Sequence, residues 1–248
     1  MPDQQPKKSE KPSISIITAT YNAEKLLPNL VSSLRAQTDK RFEWIVVDGA
    51  SKDGTVEILK AIEDLPISWI SESDFGIYDA LNKGIKLAQG EYYLVLGADD
   101  WLYPDAIGNY IESIIRTSPD ILTAGVKRET GKVSYRPKGR SWFNGQMAFV
   151  TEHAVGSVYK KCLHEKVGFF SKKYPIAADQ LFIKKAVQSG ANVVCCDFVA
   201  GCFGSAGVSS VDIAGVLMEF FRVQLETERK FPQVVLHILR LLKHYRKL

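Results

Sequence analysis

No apolar run in this chain approaches the roughly 20 residues a membrane-crossing helix requires, so none is predicted. Residues 1–12 are polar, charged and proline-bearing, without the apolar stretch of a secretory signal, and are expected to form a loose tail. The 4 cysteines, Cys162, Cys195, Cys196 and Cys202, lack paired metal-site spacing. Adjacent Cys195 and Cys196 would point to opposite faces of a strand, so reduced, partly buried thiols and a cytoplasmic location are expected. No internal repeat, low-complexity tract or long linker divides the 248 residues, which suits one substantial core with a C-terminal appendage. The net charge of +4 is partly C-terminal, and no basic stripe interleaved with aromatics points to nucleic acid.

What the chain does contain is a pair of carboxylates closing an apolar run, Tyr92-Tyr93-Leu94-Val95-Leu96-Gly97-Ala98-Asp99-Asp100. The run is too short for a helix of its own and rich in β-formers, so it reads as a buried strand carrying both aspartates to its C-terminal rim. Ligands bind at that rim in open α/β sheets. Two roles suit such a pair: a strand end and turn, with Pro104 close by, or a site where a divalent cation bridges carboxylate and phosphate.

Other units end at the same kind of rim. Arg41-Phe42-Glu43-Trp44-Ile45-Val46-Val47-Asp48 reads as a strand. A turn follows, with Gly49 and Gly54 able to take positive φ, then a helix capped by Asp53 or Thr55. Before it, the strand Ile14-Ser15-Ile16-Ile17-Thr18-Ala19-Thr20 leads through Tyr21-Asn22 into a helix over residues 26–35. After it come a strand from Ile67 and a helix over residues 77–89, with Ile77, Leu81, Ile85 and Ala88 at helical spacing and Gly90 as a left-handed cap. The order βαβαβαβ predicts a mostly parallel sheet with right-handed crossovers and a nucleotide-binding first half.

In the second half, Ile176-Ala177-Ala178-Asp179 precedes a helical pattern that stops at Gly190. Asp179 falls at a helix N-terminus, where the macrodipole favours an anion. It reads either as a cap or as a base within reach of a hydroxyl.

Taken together, Ser15-Ile16-Ile17-Thr18-Ala19-Thr20-Tyr21-Asn22, Val46-Val47-Asp48-Gly49-Ala50-Ser51-Lys52-Asp53-Gly54-Thr55, residues 71–90, Leu94-Val95-Leu96-Gly97-Ala98-Asp99-Asp100 and the stretch around Asp179 resemble the family 2 glycosyltransferases. The resemblance spans residues 13–210 and implies an α/β fold of the GT-A (Rossmann-like) type: a mostly parallel sheet flanked by helices, with C-terminal helices. It implies donor-binding roles for Thr20, Asp48, Asp74, Asn82 and Asp99, with Asp48 on the base and Asp99 near the ribose. By the same resemblance Asp100 would hold the metal, Mn²⁺ or Mg²⁺, and Asp179 would be the catalytic base. The implied reaction is inverting transfer from a nucleotide sugar, with a UDP-sugar expected, to a hydroxyl of a glycan or lipid-linked saccharide in cell-surface polysaccharide synthesis. Many relatives carry Arg immediately before the Asn, where this chain has Leu81, which leaves the identity of the base open.

A hard cation suits the reaction, because it offsets charge growing on a pyrophosphate leaving group. Lys52 and Lys83 read as solvated helix ends. His153, beside a place where relatives often have His-Gln, is a weak acceptor-side candidate, as is Trp101, while Trp142 and Phe143 could stack on a sugar or anchor a loop. Residues 204–210 resemble the family's closing glycine-containing loop and could equally cap the next helix. The expected division is a tail over 1–12, the GT-A domain over 13–210 and a helical appendage over 211–248.

That appendage ends in a stripe of Val234, Val235, Ile238, Leu241, Leu242 and Tyr245 among His237, Arg240, Lys243, His244, Arg246 and Lys247. The pattern fits packing on the domain or a partner subunit, or peripheral contact with the inner face of the plasma membrane. Two other function classes stay open. A sugar-phosphate nucleotidylyltransferase would need a glycine-rich N-terminal loop with a basic residue, which residues 18–22 do not offer. A non-catalytic nucleotide-sugar binding module would have no need of Asp179 beside the other aspartates.

Overall fold

A computed structural model describes residues 13–204 and 212–245. The expected tail and residues 205–211 of the closing loop lie outside the described residues, as do Arg246 and Lys247.

The first half alternates strand and helix: β1 (Ile14–Thr20), α1 (Leu27–Arg35), β2 (Phe42–Asp48), α2 (Thr55–Lys60), β3 (Ile67–Ser71), α3 (Ile77–Leu87) and β4 (Tyr92–Val95). The four strands lie in the order β3-β2-β1-β4, every pair parallel, with Thr20 level with Asp48 and Asp48 level with Ser71. The period-2 pleat sorts the core into two layers. Ile14, Ile16, Trp44, Val46 and Leu94 face α1 and α2, whereas Ile17, Ile45, Val47, Tyr93 and Val95 face α3. Strands buried on both faces are why this half reads as near-continuous apolar runs.

Two local expectations are corrected. Gly49 and Gly54 do not take positive φ; Ala50 does, at 60°. Gly90 is not a left-handed cap, since α3 has ended at Leu87 with Ala88 extended. A side chain at Gly90 would instead meet the Ser15 backbone and hydroxyl at 2.7–2.9 Å, so close approach to β1 demands glycine there.

The second half is mixed. It comprises β5 (Trp101–Leu102), α4 (Ala106–Thr117), β6 (Ile121–Arg128), β7 (Val133–Ser134), α5 (Ser141–Asn144), a 3₁₀ turn (Gly145–Ala148), β8 (Ser157–Lys160), α6 (Leu163–Val167), α7 (Ala178–Gln188) and β9 (Val193–Phe203). Strand β8 runs antiparallel between β4 and β6, β6 pairs in parallel with β9, and β5 pairs antiparallel with β9. Among the described residues, parallel registers hold more residue pairs than antiparallel ones. Helix α7 joins α3 on one face of the sheet through Leu181, Phe182, Ile183 and Ala186, and α4 joins α1 on the other. The stacking of α3 and α7 on one face brings Asp179 toward the end of β4.

Two helices follow, α8 (Ile213–Thr227) and α9 (Lys230–His244). Lys184 on α7 is 1% exposed and its ammonium donates to Gln224 and, at 2.8 Å, to Glu228, which locks α8 in place. The Glu219 carboxylate on α8 accepts the N–H groups of Ile176 and Ala177 at 2.9 and 2.8 Å. Of the alternatives for the apolar stripe of α9, packing on the domain is the one the structure does not bear out. Gln233 and His237 are buried while Val234, Val235, Ile238, Leu242 and Tyr245 are exposed. The cause lies in α5, whose free backbone carbonyls at Trp142 and Phe143 take hydrogen bonds from Gln233 and Arg240.

Candidate active site

The turn after β4 places the aspartate pair. The strand stops at Val95, and residues 97–100 fold back so that the Asp100 carboxylate accepts the Gly97 N–H at 2.6 Å and, across the sheet end, the Gly204 N–H at 2.9 Å. Asp100 is 1% exposed. Burial pushes its pKa up to about 7 against the lowering effect of the two amides, and Asp99 and Glu152 add to the rise. A carboxylate in that condition attracts a cation.

Asp179 lies in the first turn of α7, and its side chain caps nothing. Glu219 serves the neighbouring amides instead, which frees Asp179 to face inward. Its two oxygens accept the Tyr78 hydroxyl at 2.6 Å and the Gln146 side-chain N–H at 3.1 Å. The same Tyr78 hydroxyl contacts the Ile176 carbonyl at 2.9 Å, tying α3 to the approach of α7. A carboxylate has about four acceptor sites, so two remain on Asp179 after these bonds.

Asp99, Asp100, Glu152, His153 and Asp179 all line one cavity of about 260 Å³. Gln146 and Gln180 complete its polar wall; Tyr78, Leu81 and Ile176 supply apolar surface. Arg128 pairs with Glu152 from the side. Burial nevertheless raises the Glu152 pKa, Arg128 offsetting only part of it. Burial also lowers the His153 pKa, partly opposed by Asp179, so the ring stays neutral near pH 7. The His153 Nδ1 lies 3.1 Å from the Tyr159 hydroxyl, which reaches the His153 carbonyl at 3.4 Å. Three buried polar atoms of the wall residues, the acceptors Gln146 Oε1 and Gln180 Oε1 and the ring nitrogen His153 Nε2, have no protein partner. Such a wall calls for a ligand rich in hydroxyl donors.

The other sequence candidates lie elsewhere. Asp48 is fully buried and already accepts four donors: the Thr20 hydroxyl at 3.0 Å, the Ser51 hydroxyl and N–H at 2.5 and 2.9 Å, and the Ser71 hydroxyl at 2.6 Å. Burial raises its pKa, but these bonds outweigh it and the net shift is downward. Neither Asp48 nor Thr20 borders the cavity. Asp74 accepts the Gly76 N–H at 2.8 Å, and its carboxylate lies against Gly49 on the Asp48 side. Asn82 departs from the expectation of a pocket-lining residue. Its amide both donates to the Phe170 carbonyl at 2.8 Å and accepts the Phe170 N–H at 3.0 Å, so it staples α3 to a neighbouring segment. Trp101 sits in β5 against β9, outside the cavity lining.

Glu152, Gln146, Gln180 and Tyr78 are cavity residues that sequence reasoning did not single out. Tyr78 carried a usable signal, because a tyrosine among the buried positions of a helix needs a partner for its hydroxyl. The other three lie in segments without periodicity or in the turn of a helix read for its apolar face.

Asp99 and Asp100 fit a divalent cation in donor chemistry, and Asp100 keeps acceptor capacity beyond its two amide bonds. Among the described residues no cluster of three or more His, Cys, Asp or Glu is arranged to hold a metal ion. A bound Mg²⁺ or Mn²⁺ would therefore complete its shell with phosphate oxygens and water, the usual habit of Mg²⁺.

The family model described as glycosyl transferase family 2 matches residues 15–174. An uncharacterized glycosyltransferase of Mycobacterium tuberculosis (strain CDC 1551 / Oshkosh) is 31% identical over 232 residues, covering 89% of this chain and 86% of that protein. A PGL/p-HBAD biosynthesis glycosyltransferase of Mycobacterium bovis (strain BCG / Pasteur 1173P2) is 32% identical over 177 residues, 68% of this chain and 67% of that one. Among solved structures, S. aureus TarS 1-349 in complex with UDP-GlcNAc superposes with a TM-score of 0.67 at 24% identity, covering 94% of this chain and 73% of that chain. The mannosyltransferase PcManGT from Pyrobaculum calidifontis, in complex with GDP-Man and Mn²⁺, gives 0.68 at 20% identity, with 94% and 70% covered. At these identities the two structures establish the fold, which is GT-A.

Proposed function

The chain belongs to glycosyl transferase family 2, and from that membership we propose inverting transfer of a sugar from a nucleotide-sugar donor, a UDP-sugar, to a hydroxyl of a glycan or lipid-linked saccharide. The observation that carries this reading is the single cavity bordered by Asp99, Asp100 and Asp179. Carboxylates remote in sequence line it together with residues whose buried polar atoms lack a protein partner.

In the proposed reaction the acceptor hydroxyl approaches Asp179, whose unengaged lone pairs take its proton as the oxygen attacks the anomeric carbon. The C–O bond to the diphosphate breaks on the opposite face, so configuration inverts. Tyr78 and Gln146 hold the Asp179 carboxylate in position through both oxygens. Gln146, Gln180 and His153 hydrogen-bond sugar hydroxyls. Asp100 would hold Mn²⁺ or Mg²⁺, which would neutralise charge growing on the leaving diphosphate, with Asp99 near the ribose. Asp48, Thr20 and Asp74 form the wall proposed for the nucleoside; base contact at Asp48 requires that one of its four present donors turn aside. A UDP donor accords with the structural neighbour in complex with UDP-GlcNAc, and a biosynthetic role with the relative named for PGL/p-HBAD biosynthesis. The expected setting is the cytoplasmic side of a membrane, with residues 13–210 as the catalytic unit and 211–248 as its appendage.

A thermal-shift screen of nucleotide sugars with and without Mn²⁺ tests the proposal. A UDP-sugar should raise the unfolding midpoint, Mn²⁺ should enlarge that rise, and Asp100→Ala should remove the enlargement. An undiminished Mn²⁺ effect in that variant would take Asp100 out of the metal site. Donor turnover separates an enzyme from a non-catalytic binding module.

A further inference from the structure

Helix α9 is docked the wrong way round for a soluble helix. Its buried side is polar: Gln233 is 0% and His237 7% exposed, the His237 ring stacks on Phe221 at 4.1 Å, and the Arg240 guanidinium lies over Phe220 at 4.6 Å. Gln233 and Arg240 also donate to the Trp142 and Phe143 carbonyls at 2.8 and 2.7 Å. The outward side is apolar. Phe231, Val234, Val235, Ile238, Leu239, Leu242 and Tyr245 are between 44% and 80% exposed, all within one arc of the helix. Trp142 and Phe143, beside it, are also exposed.

A continuous apolar arc of this size needs a cover. Charge identifies which. From residue 230 onward the chain carries Lys230, Arg240, Lys243, Arg246 and Lys247 and no Asp or Glu. Lys230 and Lys243 are exposed at the two ends of α9. A second copy laid on the same arc would set these like charges against each other. An anionic lipid surface instead satisfies both features at once, taking apolar side chains into its acyl boundary and pairing cations with headgroups.

We propose that the outward face of α9, with the Trp142–Phe143 corner, docks this protein in plane on an anionic bilayer. The contact is independent of the proposed transfer reaction, since it is read without donor or acceptor.

The test is co-sedimentation of the full chain with vesicles of phosphatidylcholine alone and of phosphatidylcholine mixed with phosphatidylglycerol. The mixed vesicles should bind the protein, the neutral ones should bind it far more weakly, and added salt should weaken the mixed-vesicle binding. Leu239→Asp with Leu242→Asp should reduce mixed-vesicle binding by roughly a hundredfold. Because both side chains are exposed, the unfolding midpoint should stay close to that of the parent. Lys230→Glu with Lys243→Glu, which leaves the apolar arc intact, should abolish the preference for phosphatidylglycerol. Failure of the parent to sediment with mixed vesicles overturns the proposal, as does equal binding by the Leu variant. A dimer in analytical ultracentrifugation that the Leu variant dissolves also overturns it, and assigns the arc to a second copy.

Discussion

Two acidic centres, one at the end of β2 and one between β4 and α7, differ in how complete they are. Asp48 is a finished node: four donors fill its carboxylate and knit the ends of β1, β2 and β3 together. The cavity of Asp99, Asp100 and Asp179 is unfinished, with an acidic wall, a carboxyl pushed up to about 7 and three buried polar atoms without protein partners. A carboxylate whose acceptor sites are filled stabilises the fold, whereas buried polar atoms left without a partner cost stability until a ligand completes them.

Substitution at each centre should separate the two. The largest effect is expected at the unfinished one. Asp179→Asn should lower steady-state turnover by about 10²–10⁴-fold while the donor-induced thermal shift stays close to that of the parent. Normal turnover in that variant would remove Asp179 from the chemistry. Asp48→Ala should show the reverse emphasis, losing about 3 kcal/mol in urea unfolding because buried hydroxyl and amide donors lose their acceptor. A variant as stable as the parent would mean that the node is not structural.

A third centre sharpens the contrast. His164 is finished like Asp48, with Nε2 at 2.8 Å from the Tyr93 hydroxyl and Nδ1 at 3.1 Å from the Gly168 carbonyl. Burial pushes its pKa down to about 4 from the ordinary 6.5, the Gly168 contact offsetting part of this. Between those values the unfolded chain binds the extra proton, so the stability His164 confers is present above pH 6.5 and is lost as pH falls toward 4. Asp100, raised to about 7, tilts the other way over part of that range. Urea unfolding of the parent and of His164→Gln should therefore be compared across pH, which isolates the histidine. Their difference should narrow by about 2–3 kcal/mol over the window, and an unchanged gap would mean that the ring is not held neutral.

The parallel half was legible because strands buried on both faces write apolar runs directly into the sequence, and each run ends at a residue placed by the pleat. Asp99 and Asp100 could be located in that way, and the first turn of α7 by the helical pattern that stops at Gly190. The mixed half left weaker traces: β5 and β7 span two residues each, and β8 pairs with strands distant in sequence. Gln146 and Glu152 reach the cavity through that irregular stretch, so no period announced them, while Gln180 sits in the first turn of α7, a helix read for its apolar face. The orientation of α9 was hidden for a different reason. Its amphipathic pattern is plain, but which side faces the domain depends on free carbonyls at α5, a tertiary fact.

Glu219 makes the far end of the chain a mounting for the reactive carboxylate. By gripping the amides of Ile176 and Ala177 it fixes the segment from which Asp179 projects. A chain ending at residue 210 would keep every strand of the sheet yet leave those amides without their acceptor. The appendage thus holds the backbone two residues ahead of the proposed base, although the base itself belongs to the preceding unit.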